Sequence, residues 1–401
     1  MSRDSESSST PGANTRAVHG AGHPPGGAVG TPIVHSATFT APSLEAMLRE
    51  QDLGADGNFY QRVGHPTLRH VEARLAALEG APRALLFGSG MAAISSVLLA
   101  HLRPGDHVVA LRQCYGGTIE LLHWGAERFG WSVAFVDARD PASWDAAFTS
   151  NTRILHVESP TNPTLCIVDL EQAAGLAHRR GALLSVDNTF ASPMGQQPFA
   201  RGADLVTYSA TKSIGGHSDL LAGVALGSRE ALDPVFHARV VFGGTCDPTT
   251  AWLIERSVKT LPMRVAAANA NALGLATRLA GHPDVTRVHY PGLVSHPGHE
   301  IARRQMALGF GPVIAIELRD AGHARSVLDG VTLFGLGPSL GGVDSLIGLP
   351  AATSHRMLTP AERSAAGISD GMLRLSVGIE DLEDLWADLD RALSGRPGTT
   401  R

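Results

Sequence analysis

Between residues 66 and 227 short apolar runs alternate with helical stretches, and this alternation constrains the fold more than any other feature of the chain. The runs fall at 84–87, 107–111, 132–136, 154–157, 183–186, 205–208 and 222–226. Helical spacing of apolar residues fills gaps between them at 68–78, 91–101, 118–129 and 170–180. Strands separated by helices cannot pair as hairpins; they pair in parallel, with helices covering both faces of the sheet. The chain therefore reads as α/β with a mostly parallel sheet.

At 401 residues the chain is long enough for two domains. Residues 1–14 are polar and Ser-rich and are expected to form a disordered tail. Residues 15–63 carry many Gly and Pro and one short helical patch at 44–51, as an extended arm would. The large domain is expected over 64–260 and a smaller α+β domain over 261–401. A long helical stretch, 249–279, joins them, with Pro262 breaking or kinking it. Strands at 285–289, 313–318 and 372–376 and a closing helix at 383–393 complete the second unit.

The net charge of −5 argues against a nucleic-acid footprint or a basic membrane patch. Three cysteines, Cys114, Cys166 and Cys246, form no C-x-x-C pair and fit a reducing compartment. The polar N-terminus lacks the apolar run of a signal peptide, and no segment reads as a bilayer span. A cytoplasmic protein is expected.

Three strand ends carry chemistry. Phe87-Gly88-Ser89-Gly90-Met91-Ala92-Ala93 places glycines between a strand and a helix, where free N–H groups can hold an anion. It also fits G-x-G-x-x-A, but a dinucleotide site needs an acid at the end of the next strand, which instead ends Leu111-Arg112-Gln113. Close packing is the bland alternative. Val186-Asp187-Asn188-Thr189 ends a buried strand in an acid, the other reading being a helix cap. Ser209-Ala210-Thr211-Lys212 follows a third strand. A lysine held in the interior there is partly deprotonated and nucleophilic, whereas most single lysines sit on a solvated surface. Together the carboxylate, the amine and the Gly-Ser-Gly helix start match the parts that pyridoxal 5′-phosphate (PLP) requires.

Over nearly its whole length the chain resembles the Cys/Met-metabolism PLP-dependent enzymes, the group of cystathionine γ-synthase, cystathionine γ-lyase, cystathionine β-lyase and methionine γ-lyase. The matching segments include Tyr60-Gln61-Arg62, Ser89-Gly90-Met91, Tyr115-Gly116-Gly117-Thr118, Glu158-Ser159-Pro160-Thr161-Asn162-Pro163, Asp187-Asn188-Thr189-Phe190, Ser209-Ala210-Thr211-Lys212, Ser339-Leu340-Gly341-Gly342 and Leu373-Arg374-Leu375-Ser376. The resemblance implies an aspartate aminotransferase-like, fold type I large domain and a homotetramer built from dimers. It implies Lys212 as the Schiff-base lysine and proton shuttle, and Asp187 as the partner of the pyridine nitrogen. Gly90, Met91, Ser209 and Thr211 would bind the phosphate. Tyr60 and Arg62 would reach it from a neighbouring subunit, Tyr60 touching substrate as well. Tyr115 would stack on the ring near the leaving group, and Asn162 would bond the ring hydroxyl. Arg374 would clamp the substrate carboxylate, with Ser339 in the loop that places it.

His217, His296 and His355 lack zinc-site spacing and are expected to be structural; no metal is expected. Cys114 reads as a buried filler rather than a reactive thiol, and Glu158 either orients neighbours or is structural. The departures lie elsewhere. Gly117 stands where methionine γ-lyases carry cysteine, Pro338 where many relatives have glutamate, Ser213 where many have tyrosine, His65 for an asparagine and Asp344 for a glutamate. The resemblance implies γ-elimination or γ-replacement on a γ-substituted L-amino acid, and the departures, which spare the cofactor site, point to a leaving group other than ordinary cystathionine. The alternatives are a lyase expelling an unusual γ-substituent such as halide, a β-lyase on cystathionine, and a non-catalytic PLP-binding protein.

Overall fold

The computed structural model describes residues 11–24 and 27–395. Ten of the fourteen residues expected as a tail lie outside these, and a helix, Ala13–His19, begins within the remainder. Seven strands form the first sheet: β1 (Arg83–Phe87), β2 (His107–Leu111), β3 (Ser132–Val136), β4 (Thr152–Glu158), β5 (Leu183–Asp187), β6 (Leu205–Ser209) and β7 (Gly223–Gly227). Their spatial order is β1-β7-β6-β5-β4-β2-β3. β2 to β6 pair in parallel, and β7 runs antiparallel between β1 and β6. β2, β7 and the ends of β4 and β5 are buried, as a sheet covered on both faces requires.

The stretch expected as one helix is two, Pro248–Val258 and Leu261–Leu279, with Pro262 in the first turn of the second, where its missing N–H costs no helical bond. A second sheet follows, from β8 (Arg287–His289), β9 (Val313–Glu317), β10 (Gly335–Leu336), β11 (Leu346–Gly348) and β12 (Met372–Ser376), ordered β10-β11-β12-β9-β8. The helices Leu261–Leu279, Ala321–Gly330 and Leu382–Leu393 bury Ala272, Leu275, Val327, Leu385 and Leu389 against Ile314, Ile316, Leu373 and Leu375 of this sheet. A separate and larger apolar cluster, running in sequence from Ala17 to Val265, lies around the first sheet. No helix among the described residues is long and apolar enough to cross a membrane.

This topology puts the carboxyl ends of β2, β4, β5 and β6 on one edge of the first sheet. β7 brings Gly223 opposite both Phe87 and Ser209, so the ends of β1 and β6 meet across it.

Candidate active site

A cavity of about 660 Å³ lies off these strand ends and is closed by the loop before Leu340 and by β12. At one end Ser89 caps the helix Gly90–His101, its Oγ accepting from Ala92 N at 3.0 Å. The first-turn N–H groups of Gly90 and Met91 have no helical carbonyl to bond. Close approach explains the glycines here. A Cβ on Gly90 would stand 2.8 Å from Ser209 Cβ, and one on Gly223 would stand 2.1 Å from the Ser89 carbonyl oxygen. Thr211 Oγ1 is tied to Ala222, accepting from its N at 3.0 Å and donating to its carbonyl at 3.2 Å. Thr189 Oγ1 accepts from Ser209 N at 2.9 Å, which links this end to the next strand.

In the floor, Asp187 is buried, with Oδ1 accepting from Thr189 N at 3.0 Å. Burial raises its pKa, Thr189 pulling the other way. No ion pair to Asp187 occurs among the described residues, so a buried carboxylate faces the cavity without a cation. Glu158 stands beside it in register on β4. Its Oε2 accepts from Tyr115 N at 2.7 Å and its Oε1 from Asn162 N at 2.8 Å. Burial first, then Asp187, pushes the Glu158 pKa well up. Glu158 thus positions the backbone of two residues that line the cavity, which decides between the two readings of it.

Lys212 follows β6, and its Nζ donates to Ser339 Oγ at 2.9 Å. Burial lowers its pKa, and the Arg374 charge lowers it further, both favouring the free amine. Arg374 sits in mid-β12 between Ala315 and Gly348. Its Nη1 donates to Asn162 Oδ1 at 3.1 Å; its Nη2 donates to the carbonyls of Pro338 at 2.8 Å and Ser339 at 3.1 Å. Burial brings its pKa down to about 10. The loop is pinned where Gly341 N donates to Ser376 Oγ at 2.8 Å, and Gly341, at φ +74°, lies too close to Ser213 to carry a side chain.

Gly90, Met91, Tyr115, Asn162, Asp187, Ser209, Thr211, Lys212, Ser339 and Arg374 therefore line one cavity. Tyr60 and Arg62 do not. Tyr60 is 42% exposed, and Arg62 stacks over its ring at 5.5 Å while donating to Val240 O at 2.8 Å. Cys114 is fully buried and its thiol pKa is raised, first by burial and then by Glu158 and Asp187, which is the opposite of an activated thiol. His217 bonds the Gly215 carbonyl, His296 accepts from Gly298 N, and His355 bonds Ser354 Oγ. No cluster of potential metal ligands occurs among the described residues.

Arg264 carries no motif that marks it in the sequence. It is buried on the helix Leu261–Leu279, and its guanidinium donates to the Ser213 and Ser257 carbonyls, both at 2.8 Å, clamping the turn after Lys212. The one signal was an arginine on a helix face that is apolar apart from it and Asn269.

A hydroxyl- and N–H-lined anion cradle, an unpaired buried carboxylate and a buried amine fit the phosphate, ring nitrogen and aldehyde of PLP. On a parallel sheet followed by a smaller second sheet, they define a PLP-dependent enzyme. A model of the family described as Cys/Met metabolism PLP-dependent enzyme matches residues 14–394, and the chain belongs to that family. It is 42% identical over 396 residues to L-methionine gamma-lyase of Pseudomonas putida, covering 96% of this chain and 98% of that one. It is 44% identical over 390 residues to cystathionine gamma-synthase of Mycobacterium bovis, covering 95% and 97%. The solved cystathionine gamma synthase of Xanthomonas oryzae pv. oryzae, in complex with aminoacrylate and cysteine, superposes with a TM-score of 0.91 at 39% identity, covering 96% of this chain and 99% of that one. The expected fold type I architecture follows from these likenesses.

Proposed function

We propose that the protein catalyses γ-elimination or γ-replacement on a γ-substituted L-amino acid, with Lys212 as its proton carrier. The supporting observation is that Lys212 Nζ and the Arg374 guanidinium share one small loop: Nζ bonds Ser339 Oγ while Arg374 bonds the Pro338 and Ser339 carbonyls. When bound, PLP supplies an electron sink that acidifies the carbons of an attached amino acid. Lys212 is the amine that would hold the cofactor aldehyde, and Asp187 would hold the ring nitrogen in its protonated form. Arg374, a planar two-pronged donor, would bind the substrate carboxylate and so fix which Cα bond faces Lys212. Lys212 Nζ, once free, would take the α-proton and then a β-proton, and Tyr115, at the mouth, would stand beside the departing group.

Gly90, Met91, Ser209 and Thr211 would bind phosphate through neutral donors. Among the described residues no arginine or lysine besides Lys212 and Arg374 lines the cavity. A second copy of the chain would supply the missing charge through Arg62, with Tyr60 beside it, making a dimer the smallest active unit. A homotetramer in the cytoplasm belongs to the same reading.

The test is a product assay on PLP-loaded enzyme with L-cystathionine, L-methionine and O-acyl-homoserines, with and without cysteine. A 2-oxobutyrate or thioether product supports γ-chemistry; pyruvate as the main product identifies β-elimination and overturns it. Lys212→Ala should lose at least 10³-fold in turnover, on the order expected for loss of a general base together with the cofactor's anchor.

A further inference from the structure

The charges in the cavity separate into a floor and a mouth. Lys212, Arg374, Glu158 and Asp187 form the floor, and each already has a hydrogen-bond partner there. One charged lining residue remains, Glu120. It is exposed, and its carboxylate makes no hydrogen bond or ion pair to any described residue. It lies in the second turn of the helix Gly116–Phe129, which starts directly after Tyr115. Five residues at 1.5 Å each carry it about 7 Å along the helix axis beyond Tyr115. Tyr115, Glu120 and Arg374 line the same cavity, so a substrate held at Arg374 and reaching past Tyr115 could meet Glu120.

Among the described residues the remaining lining offers no further counter-charge. Leu221, Pro338 and Met357 are apolar, and Thr353 is neutral. The Pro338 carbonyl is turned to Arg374. A carboxylate on the distal part of a γ-substituent would meet Glu120 and, among the described residues of its own chain, no base beyond Lys212 and Arg374 in the floor.

We propose that Glu120 selects the leaving group by charge, admitting amino acids whose γ-substituent is uncharged or cationic and disfavouring those that end in a carboxylate. This rests on the proposed seating of the substrate carboxylate at Arg374 and the γ-substituent past Tyr115. Two like charges several ångströms apart near a protein surface repel with an energy worth roughly a five- to tenfold change in affinity after solvent screening.

The experiment compares L-norleucine with L-2-aminoadipate, which match in length and differ in a terminal methyl against a carboxylate. Binding is read from the absorbance of bound PLP in the wild type, Glu120→Gln and Glu120→Lys. The same three proteins are assayed on O-acetyl- and O-succinyl-L-homoserine. Norleucine should bind more tightly than aminoadipate in the wild type, and added salt should narrow the gap. The preference should shrink roughly five- to tenfold in Glu120→Gln and reverse in Glu120→Lys, the kcat/KM ratio of the two esters moving with it. An unchanged binding preference across the three proteins overturns the proposal. Binding by norleucine without turnover of either ester would count against γ-chemistry alone, because the binding ratio still reports Glu120.

Discussion

At the scale of single residues, position after a strand made two groups legible. Asp187 and Lys212 come directly off buried strands, so their sites follow from the apolar runs that precede them. Arg374 and Asn162 do not show themselves this way. They are 212 positions apart and meet through packing of the two sheets, so resemblance alone flagged them. Glu79 was invisible for another reason: an acid at the end of an amphipathic helix normally faces water, yet this one is buried. Tyr208 Oη donates to its Oε2, and Asn188 Nδ2 donates to Tyr208 Oη at 2.7 Å. Burial pushes the Glu79 pKa from 4.5 to about 8. In the unfolded chain the group ionises near the lower value. Below 4.5 both states hold the proton and no penalty arises; between 4.5 and about 8 the unfolded state alone releases it, so stability falls as pH rises, and above 8 the full penalty is present. With about 1.4 kcal/mol per pKa unit, the penalty reaches several kcal/mol. Glu79→Gln removes the proton exchange and keeps an acceptor for Tyr208. Its melting temperature should gain on the wild type from pH 5 to pH 8 and level off above that; a pH-independent difference would show that Glu79 does not titrate on unfolding.

At the scale of elements, the strands of the first sheet were readable because each is short, apolar and flanked by a helix. Expected and observed limits differ there by at most a few residues. The helix Arg229–Phe242 went unread because Pro234 lies inside it, a residue that ordinarily stops a helix. β10 and β11 were missed because two or three residues among Gly and Pro carry no periodicity. The turn after Lys212 shows how one element depends on another. Arg264 holds the Ser213, Ile214 and Ser257 carbonyls, and the space it fills is opened by Gly216 at φ +73°. Burial lowers its pKa to about 10, leaving it charged at neutral pH. Arg264→Met should leave buried carbonyls unpaired, at about 1–3 kcal/mol each. The melting temperature should drop by several degrees, at roughly 2–4 °C per kcal/mol. PLP should also dissociate faster, because the turn carries the lysine proposed to anchor it. A variant that melts lower but releases PLP at the wild-type rate would confine Arg264 to a purely structural role.

At the scale of the whole molecule, the single chain leaves its anion cradle short of charge while exposing an arginine–tyrosine pair. The phosphate of PLP carries close to two negative charges, and the cradle offers hydroxyls and N–H groups alone. Arg62 makes its one hydrogen bond to its own Val240 carbonyl and is otherwise exposed. In a two-fold dimer each surface patch meets its own copy, so an exposed arginine of one copy can serve the cavity of the other. Subunit mixing decides whether it does. Homo-oligomers of Arg62→Ala and of Lys212→Ala should each be nearly inactive at limiting PLP. If Arg62 serves the partner's cavity, a mixed dimer holds one site with both lesions and one with neither. Co-expression at equal levels should then restore about a quarter of wild-type turnover by random pairing. If Arg62 serves its own cavity, every site in every mixed dimer carries a lesion and nothing is restored. Recovery after mixing would therefore establish at once that the active unit is at least a dimer and that its sites are built across the interface; no recovery, with mixed species verified by mass, would return the phosphate charge to a single chain.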